Sequence, residues 1–429
     1  MMKWLALIAI LLAVYPAGLL LRKRPLVRTL LVAAMGFLPF YRLPAVSFNP
    51  ISFEGYRGDS TGLEVTLVDV FAAILLFALP AAKHASPLRV VRALYLLVVL
   101  ASVFIAPEPH YAFFGLWKLL RMYLVVTVLA RAFEDAAMGP VYLRGVGAGI
   151  LYAFLQALNQ RYLHHQHQVF STFPHQNSLG MALNLVAPIV LAIALAGQGG
   201  VLAWITLAAS AATIMLTLSR GSIVVFVVIS AMVYLASLAR GITRRKVVAA
   251  VAAAAVVGLL LAKSLRTIVE RFLDAPEASA ESRVYFERAA RLMLSDHPFG
   301  IGMNQFSHVL RHGGYAARIG MRTDLDGVVH NVYWLTASEL GYVGFAIFLV
   351  LLAFPLIIAI RGASRAGRDI RGDVLLGCAG GLAAMYAQST LEWIPRQTAQ
   401  GYLFWSLVAL VSALDHQLRQ RRLAEARSG

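Results

Sequence analysis

Along most of this chain apolar residues follow one another with little of the alternation that a water-facing strand or helix would impose. Runs long enough to cross about 30 Å of hydrocarbon fall at residues 4–21, 26–41, 65–82, 88–106, 112–130, 141–158, 178–196, 201–218, 223–238, 247–262, 332–360, 374–389 and 402–414. The pattern predicts an all-α, polytopic transmembrane helical bundle of about twelve spans, or thirteen if the short second run inserts fully. One long polar interruption, residues 265–329, divides the chain into an N-terminal bundle (1–264), the polar segment, and C-terminal helices with a tail (330–429). No internal repeat and no low-complexity tract is visible. The first run is read as a retained anchor, since Arg22, Lys23 and Arg24 follow it without a small-x-small cleavage site before them.

Composition agrees. With 59% hydrophobic and 14% charged residues and a mean hydropathy of +0.72, the chain lies far from a soluble globular average. The single cysteine, Cys378, stands in an apolar run, which leaves neither a disulfide framework nor a cysteine-based metal site. Net charge is +17, carried by 32 Arg and 6 Lys against 21 acidic residues. Genome base composition with the positive-inside rule accounts for that bias, and so does a need for planar bidentate donors to phosphate. Dispersal over short loops disfavours nucleic acid as a partner.

Charge also orients the bundle. Lys83, Arg89 and Arg92 fall on one face with Arg240, Arg244, Arg245 and Lys246. Arg361, Arg365, Arg368 and Arg371 join them, as does the tail with Arg419, Arg421 and Arg422. That face is cytoplasmic by the positive-inside rule, and residues 107–111, 160–177, 219–222, 265–329 and 392–397 are external. The long external segment carries eight Arg and eight Asp or Glu between Leu265 and Gly327. Residues 281–294 should form a helix capped by Ser279 or Ser282 and ended at Asp296-His297-Pro298. Arg288 and Arg291 share one face of it, Glu287 can pair with Arg283 or Arg291, and Val284, Tyr285 and Leu292 can pack inward.

Several polar groups at the external ends of spans are candidates for chemistry. His330-Asn331 opens a long apolar helix, where an imidazole is either a general base for a hydroxyl or an interfacial hydrogen-bonding group. Arg220, in the short turn Ser219-Arg220-Gly221-Ser222, needs an anion or snorkels to water. Arg161, Lys118, Arg121 and Arg396 also lie at external ends, and several cations converging there would suit a diphosphate. Asn177 or Ser178 can cap the helix after Phe173-Pro174-His175. His164, His165, His167 and His175 match no standard zinc spacing. Asp324-Leu-Asp326 has the form of a metal-binding DxD or of a solvated rim. Gly300-Ile301-Gly302 reads as a turn, since no strand precedes it and no Lys-Ser/Thr follows. No metal site and no cofactor is assigned.

Taken together, FPHQNSLGMAL, LTLSRGS, the arginine-bearing helix running into DHPFGIGMNQF, and HNVYWLTASELGYVG resemble the O-antigen ligase and polymerase family of bacterial envelope glycosyltransferases. These pieces span roughly residues 165–350, and the arrangement of spans is similar over the whole length. The resemblance implies a C-type glycosyltransferase-like fold and a metal-independent enzyme at the periplasmic face of the inner membrane. Its donor would be an undecaprenyl-diphosphate-linked glycan. By motif position Arg220 and Arg288 would hold the diphosphate and His330 would assist the acceptor hydroxyl. Arg161 and Arg291 transfer more loosely, with Lys118, Arg121, Asn331, His175, Asn177 and Arg396 as further substrate-binding candidates. One large external loop fits an O-antigen ligase acting on lipid A-core oligosaccharide, with inversion. A protein O-oligosaccharyltransferase and an O-antigen polymerase remain alternatives of the same chemistry. A lipid-linked glycan transporter is the alternative of another class; it would bring inverted repeats and broken or ionisable helices at the midplane.

Overall fold

The computed structural model describes residues 2–53, 55–84, 86–255 and 277–428. Its helices run in the order α1 (Met2–Leu21), α2 (Pro25–Phe37), α3 (Leu67–Ala78), α4 (Arg89–Ile105), α5 (Pro109–Ala132), α6 (Met138–Leu158), α7 (Gln176–Ala196), α8 (Gly200–Thr217) and α9 (Arg220–Ala239). There follow α10 (244–255), α11 (Glu277–Asp296), α12 (Phe306–His312), α13 (Tyr315–Arg318), α14 (Val332–Arg365), α15 (Ile370–Gln388) and α16 (Thr398–Ser428).

The chain is nearly all-α, as its apolar pattern predicts. Among the described residues, seven helices are long and apolar enough to cross a membrane, against the thirteen runs read from sequence. Part of the difference has a geometric source. At about 1.5 Å per residue, α2 and α3, of 13 and 12 residues, fall short of the hydrocarbon thickness. Between them the chain turns back through a two-stranded antiparallel ribbon, β1 (Ser47–Phe48) on β2 (Val65–Thr66). The run at 65–82 therefore starts as a strand. A capping box then opens α3: Asp69 N donates to Thr66 Oγ1 at 3.4 Å, and Thr66 N to Asp69 Oδ2 at 2.8 Å. The second half of the predicted span at 247–262, and the side chains of Ser279 and Ser282, lie outside the described residues.

Two features position the external end. The first is a separate core beneath the polar segment. Phe286, Ala289, Ala290 and Met293 on one face of α11 pack with Phe306, Leu310, Val329 and Leu335. Full burial of a Phe or Met contributes about 1.5–3 kcal/mol, so this face outweighs the charged one in seating the helix. Val284, expected to point inward, is 67% exposed because it lies almost opposite that apolar face. The second feature is a break in α14 at Gly341 (φ 67°, ψ −174°). The freed groups bond to residues 298–302: Ile301 N donates to Ser338 O (3.0 Å), Gly302 N to Glu339 O (2.9 Å), and Tyr342 N to Pro298 O (3.0 Å). A Cβ on Gly341 would stand 2.3 Å from Pro298 O, and one on Gly300 2.3 Å from Glu339 O. Two glycine-only backbones thus interlock, which is why the glycine turn carries no side chain there.

Orientation is open to a direct test. Ser295 and Ser364 are both exposed. In a Cys378→Ser background, a cysteine at Ser295 should react with an impermeant thiol reagent in spheroplasts, and one at Ser364 only after permeabilisation. The opposite pattern would reverse the assigned sides.

Candidate functional site

Four elements meet at the end of the bundle where α7, α9 and α14 begin and α15 ends. Buried amides hold them in register. Asn184 Nδ2 donates to Gln388 Oε1 (3.1 Å) and to Ser222 O (3.0 Å), while Gln388 Nε2 donates to Ser222 Oγ (2.9 Å). Val332 N donates to Ser389 O at 3.1 Å. Buried polar links of this kind fix the relative placement of helix ends, since each bond specifies one geometry.

Glu392, in the loop after α15, is the hub. It is 6% exposed and accepts from Asn177 Nδ2 (2.6 Å), Arg283 Nη2 (3.2 Å) and His330 Nδ1 (3.3 Å). The His330 side chain is 37% exposed, so its other ring edge faces outward. Asn331 caps α14 with its side-chain oxygen, accepting from Tyr333 N (3.0 Å) and Trp334 N (3.2 Å). At the start of α7 the cap is His175, whose Nδ1 accepts from Asn177 N at 3.2 Å. Asn177 is thereby released from the capping role expected of it and reaches Glu392 instead. Partial desolvation lowers the pKa of His175; Glu392 opposes that shift, and His330 and Arg283 add to it.

Arg220 opens α9 directly after its cap, Ser219, whose Oγ accepts from Ser222 N at 3.4 Å. A Cβ on neighbouring Gly221 would lie 3.8 Å from Leu391 Cδ1, which sets this turn against the Glu392 loop. Arg288 is exposed, on the face of α11 turned away from its core. Arg291 pairs with Glu287 (3.5 Å) and lies 4.8 Å over the Trp334 ring. Arg161 donates to Gln166 O (3.2 Å) and His167 O (3.0 Å), folding its own loop. Asp326 is held by Arg311 Nη1 through both oxygens, at 2.7 and 2.9 Å.

Lys118, Arg121 and Arg396 form a different group, inside the bundle. Arg121 bonds Asp69 (2.8 Å), Glu64 (2.9 Å) and the Tyr402 hydroxyl (2.6 Å). Arg396 pairs with Glu339, donates to Thr336 Oγ1 (3.1 Å) and stands 3.5 Å from Asp59. Lys118 donates to the carbonyls of Asp59 and Arg396. Next to them opens a cavity of about 100 Å³, with Leu119, Met122, Phe348, Leu351 and Phe404 in its wall. Val332 and Ser389 also line it, close along the chain to His330 and Glu392.

Glu392 and Arg283 are the members that sequence reading missed. Glu392 had been placed only within an external turn, and Arg283 only as a partner for Glu287. The arrangement defines a multi-pass membrane protein with a polar site of imidazole, carboxylate and guanidinium groups where helix ends meet. Residues 205–349, about a third of the chain, match the family model described as O-antigen ligase. The match covers the Arg220 turn, α11 and His330; the Asn177 helix start lies before it. A search of curated proteins gave no match.

Proposed function

We propose that the protein is an O-antigen ligase. It would transfer undecaprenyl-diphosphate-linked O-antigen polysaccharide to lipid A-core oligosaccharide at the periplasmic face of the inner membrane. The observation that carries this reading is the junction of the Arg220 turn, the Asn177 helix start and His330, three motif pieces drawn from distant parts of the chain. Attack of the acceptor hydroxyl on C1 breaks the bond to the diphosphate, which leaves with the electron pair, and C1 inverts. Arg220, Arg288 and Arg291 supply guanidinium groups to the charge that builds on the leaving group. His330 takes the hydroxyl proton. The cavity beside Val332 has Leu119, Met122, Phe348, Leu351 and Phe404 in its wall, side chains of the kind that a polyprenyl carrier would meet. Lys118, Arg121 and Arg396, each engaged by carboxylates or carbonyls, support the walls of that cavity. The break in α14 is filled by protein backbone rather than open to solvent, which favours transfer over transport.

A gene-deletion strain decides the substrate. Lipopolysaccharide with core but no long-chain ladder is expected. Core bearing a single repeat would indicate a polymerase, and an intact ladder would reject the ligase. Because a diphosphate leaves readily once guanidinium groups stabilise it, transfer by the purified enzyme should continue in excess EDTA. Loss restored by magnesium, manganese or zinc would overturn the mechanism. Arg220→Lys and Arg288→Lys should each weaken donor binding and slow transfer, since an ammonium lacks the planar fork. Full activity in either lysine variant would remove that arginine from the clamp.

A further inference from the structure

Glu392 is 6% exposed and takes its three donors from three separate elements: Asn177 on α7, Arg283 on α11 and His330 before α14. An ionised carboxylate accepts hydrogen bonds and has none to give, so the ring nitrogen facing it, Nδ1 of His330 at 3.3 Å, must carry the hydrogen. The lone pair of the neutral ring then sits on Nε2. We propose that Glu392 is the positioning residue of the site. Braced by Asn177 and Arg283, it fixes His330 in the Nδ1–H tautomer and presents the Nε2 lone pair to the acceptor hydroxyl.

The inference rests on the reading of His330 as the base. In the transfer step the acceptor oxygen bonds to C1 while the C1–O bond to the diphosphate breaks and its electron pair departs with the phosphate. The hydroxyl proton moves to Nε2. The resulting imidazolium keeps its Nδ1–H on Glu392, whose charge offsets the new positive charge, and the Nε2 proton later passes to water. Other charged groups also face this pair. Arg283 stands on the far side of the carboxylate, His175 lies alongside, and the Arg220 turn abuts Leu391. With Arg283 and Asn177 donating from one side, the carboxylate is held in place without needing His330. That is the property required of a group that orients its neighbour.

A glutamine cannot reproduce the arrangement. Its single oxygen would be claimed by Asn177 and Arg283, leaving the amide NH₂ facing Nδ1. The ring proton would then shift to Nε2, where the lone pair is needed.

The test uses full-length purified variants. Binding is measured with undecaprenyl diphosphate, and single-turnover transfer with an undecaprenyl-diphosphate-linked oligosaccharide and core-only lipopolysaccharide. Glu392→Gln should bind undecaprenyl diphosphate like wild type and transfer about 10²-fold more slowly, the scale expected for a misplaced catalytic group. In a His330→Ala background the same change should cost nothing further, because its effect passes through the ring. Asn177→Ala leaves charge and ring in place. It should slow transfer less, and its effect too should vanish without His330, which keeps the proposal testable if Glu392→Gln folds poorly. An equal further loss in the His330→Ala background would overturn the positioning role and leave His330 as base. Faster transfer or tighter binding in Glu392→Gln would overturn it as well, marking Glu392 as a competitor for the diphosphate's cations. Near-normal transfer by His330→Ala alone would instead reject the base, and the positioning role with it.

Discussion

Replacing His330 by alanine is expected to slow transfer by about two to four orders of magnitude while leaving donor binding near the wild-type value, the range for loss of a general base. The expectation follows from where the ring is held. Nδ1 is tied to Glu392 at 3.3 Å and the side chain is 37% exposed, so it can meet an acceptor that arrives from the aqueous side. Guanidinium groups bind the diphosphate in the ground state and more strongly in the transition state, as charge builds on the leaving group, so their loss reaches both affinity and rate. A base touches only the hydroxyl, so its loss reaches rate alone. A donor affinity that falls in step with the rate would make His330 a phosphate ligand instead.

The largest stability effect is expected at the junction of Glu339 and Arg396. Glu339 is 2% exposed at its side chain and Arg396 8%. Glu339 Oε1 accepts from the backbone N–H groups of Gln305 (3.0 Å) and Phe306 (3.2 Å), which start α12, while its other oxygen meets Arg396. The pair therefore joins the polar segment, the broken helix and the last external turn. Removing Arg396 strands Glu339 and Asp59, which stands 3.5 Å away, in a dry interior at a cost of about 3–5 kcal/mol, whereas removing Glu339 leaves Arg396 with Asp59 and costs less. Glu339→Ala or Arg396→Ala should lower the thermal midpoint measured by loss of monodisperse protein on heating in detergent. A double variant, Glu339→Ala with Arg396→Ala, should lose less than the two single losses combined, since Glu339 is then not left behind without its arginine. Additive losses would mean that the two groups do not depend on each other.

Fold class was legible because hydrocarbon permits so few solutions: a long apolar run can scarcely be anything but a buried or spanning helix. The number of crossings was less legible. The runs at 26–41 and 65–82 contain enough apolar residues to span, yet prolines and a capping box cut them into shorter helices. His330, Asn177 and Arg220 could be picked out because each sits at a helix start, a position that leaves a mark in local sequence. Glu392 leaves none. Its importance comes from neighbours 215 and 62 positions away, Asn177 and His330. Lys118, Arg121 and Arg396 show the converse. Their charge was visible, but the groups that occupy them come from other segments: Glu64 and Asp69 for Arg121, Glu339 for Arg396, and the carbonyls of Asp59 and Arg396 for Lys118. A list of cations at one face does not separate those open to substrate from those already engaged. The helix carrying Arg288 was anticipated, whereas its rotation is set by Phe286, Ala289, Ala290 and Met293 acting together.

The interruption at Gly341 bears on how the molecule is put together in the cell. During synthesis residues 298–302 leave the ribosome before the helix that must receive them, so their backbone partners, Ser338 and Glu339, do not yet exist. Once α14 has been made, its stretch after the break can enter the bilayer as an ordinary hydrophobic segment. The turn before it can then be stitched to Ser338 and Glu339 from the outside. Arg396, which closes the junction, is made later still, after α15. The segment bearing His330 therefore takes its final place as one of the last events of biogenesis. A chain stalled or truncated before Arg396 would hold α14 without the partner that closes its junction with the polar segment, and so would lack a settled site.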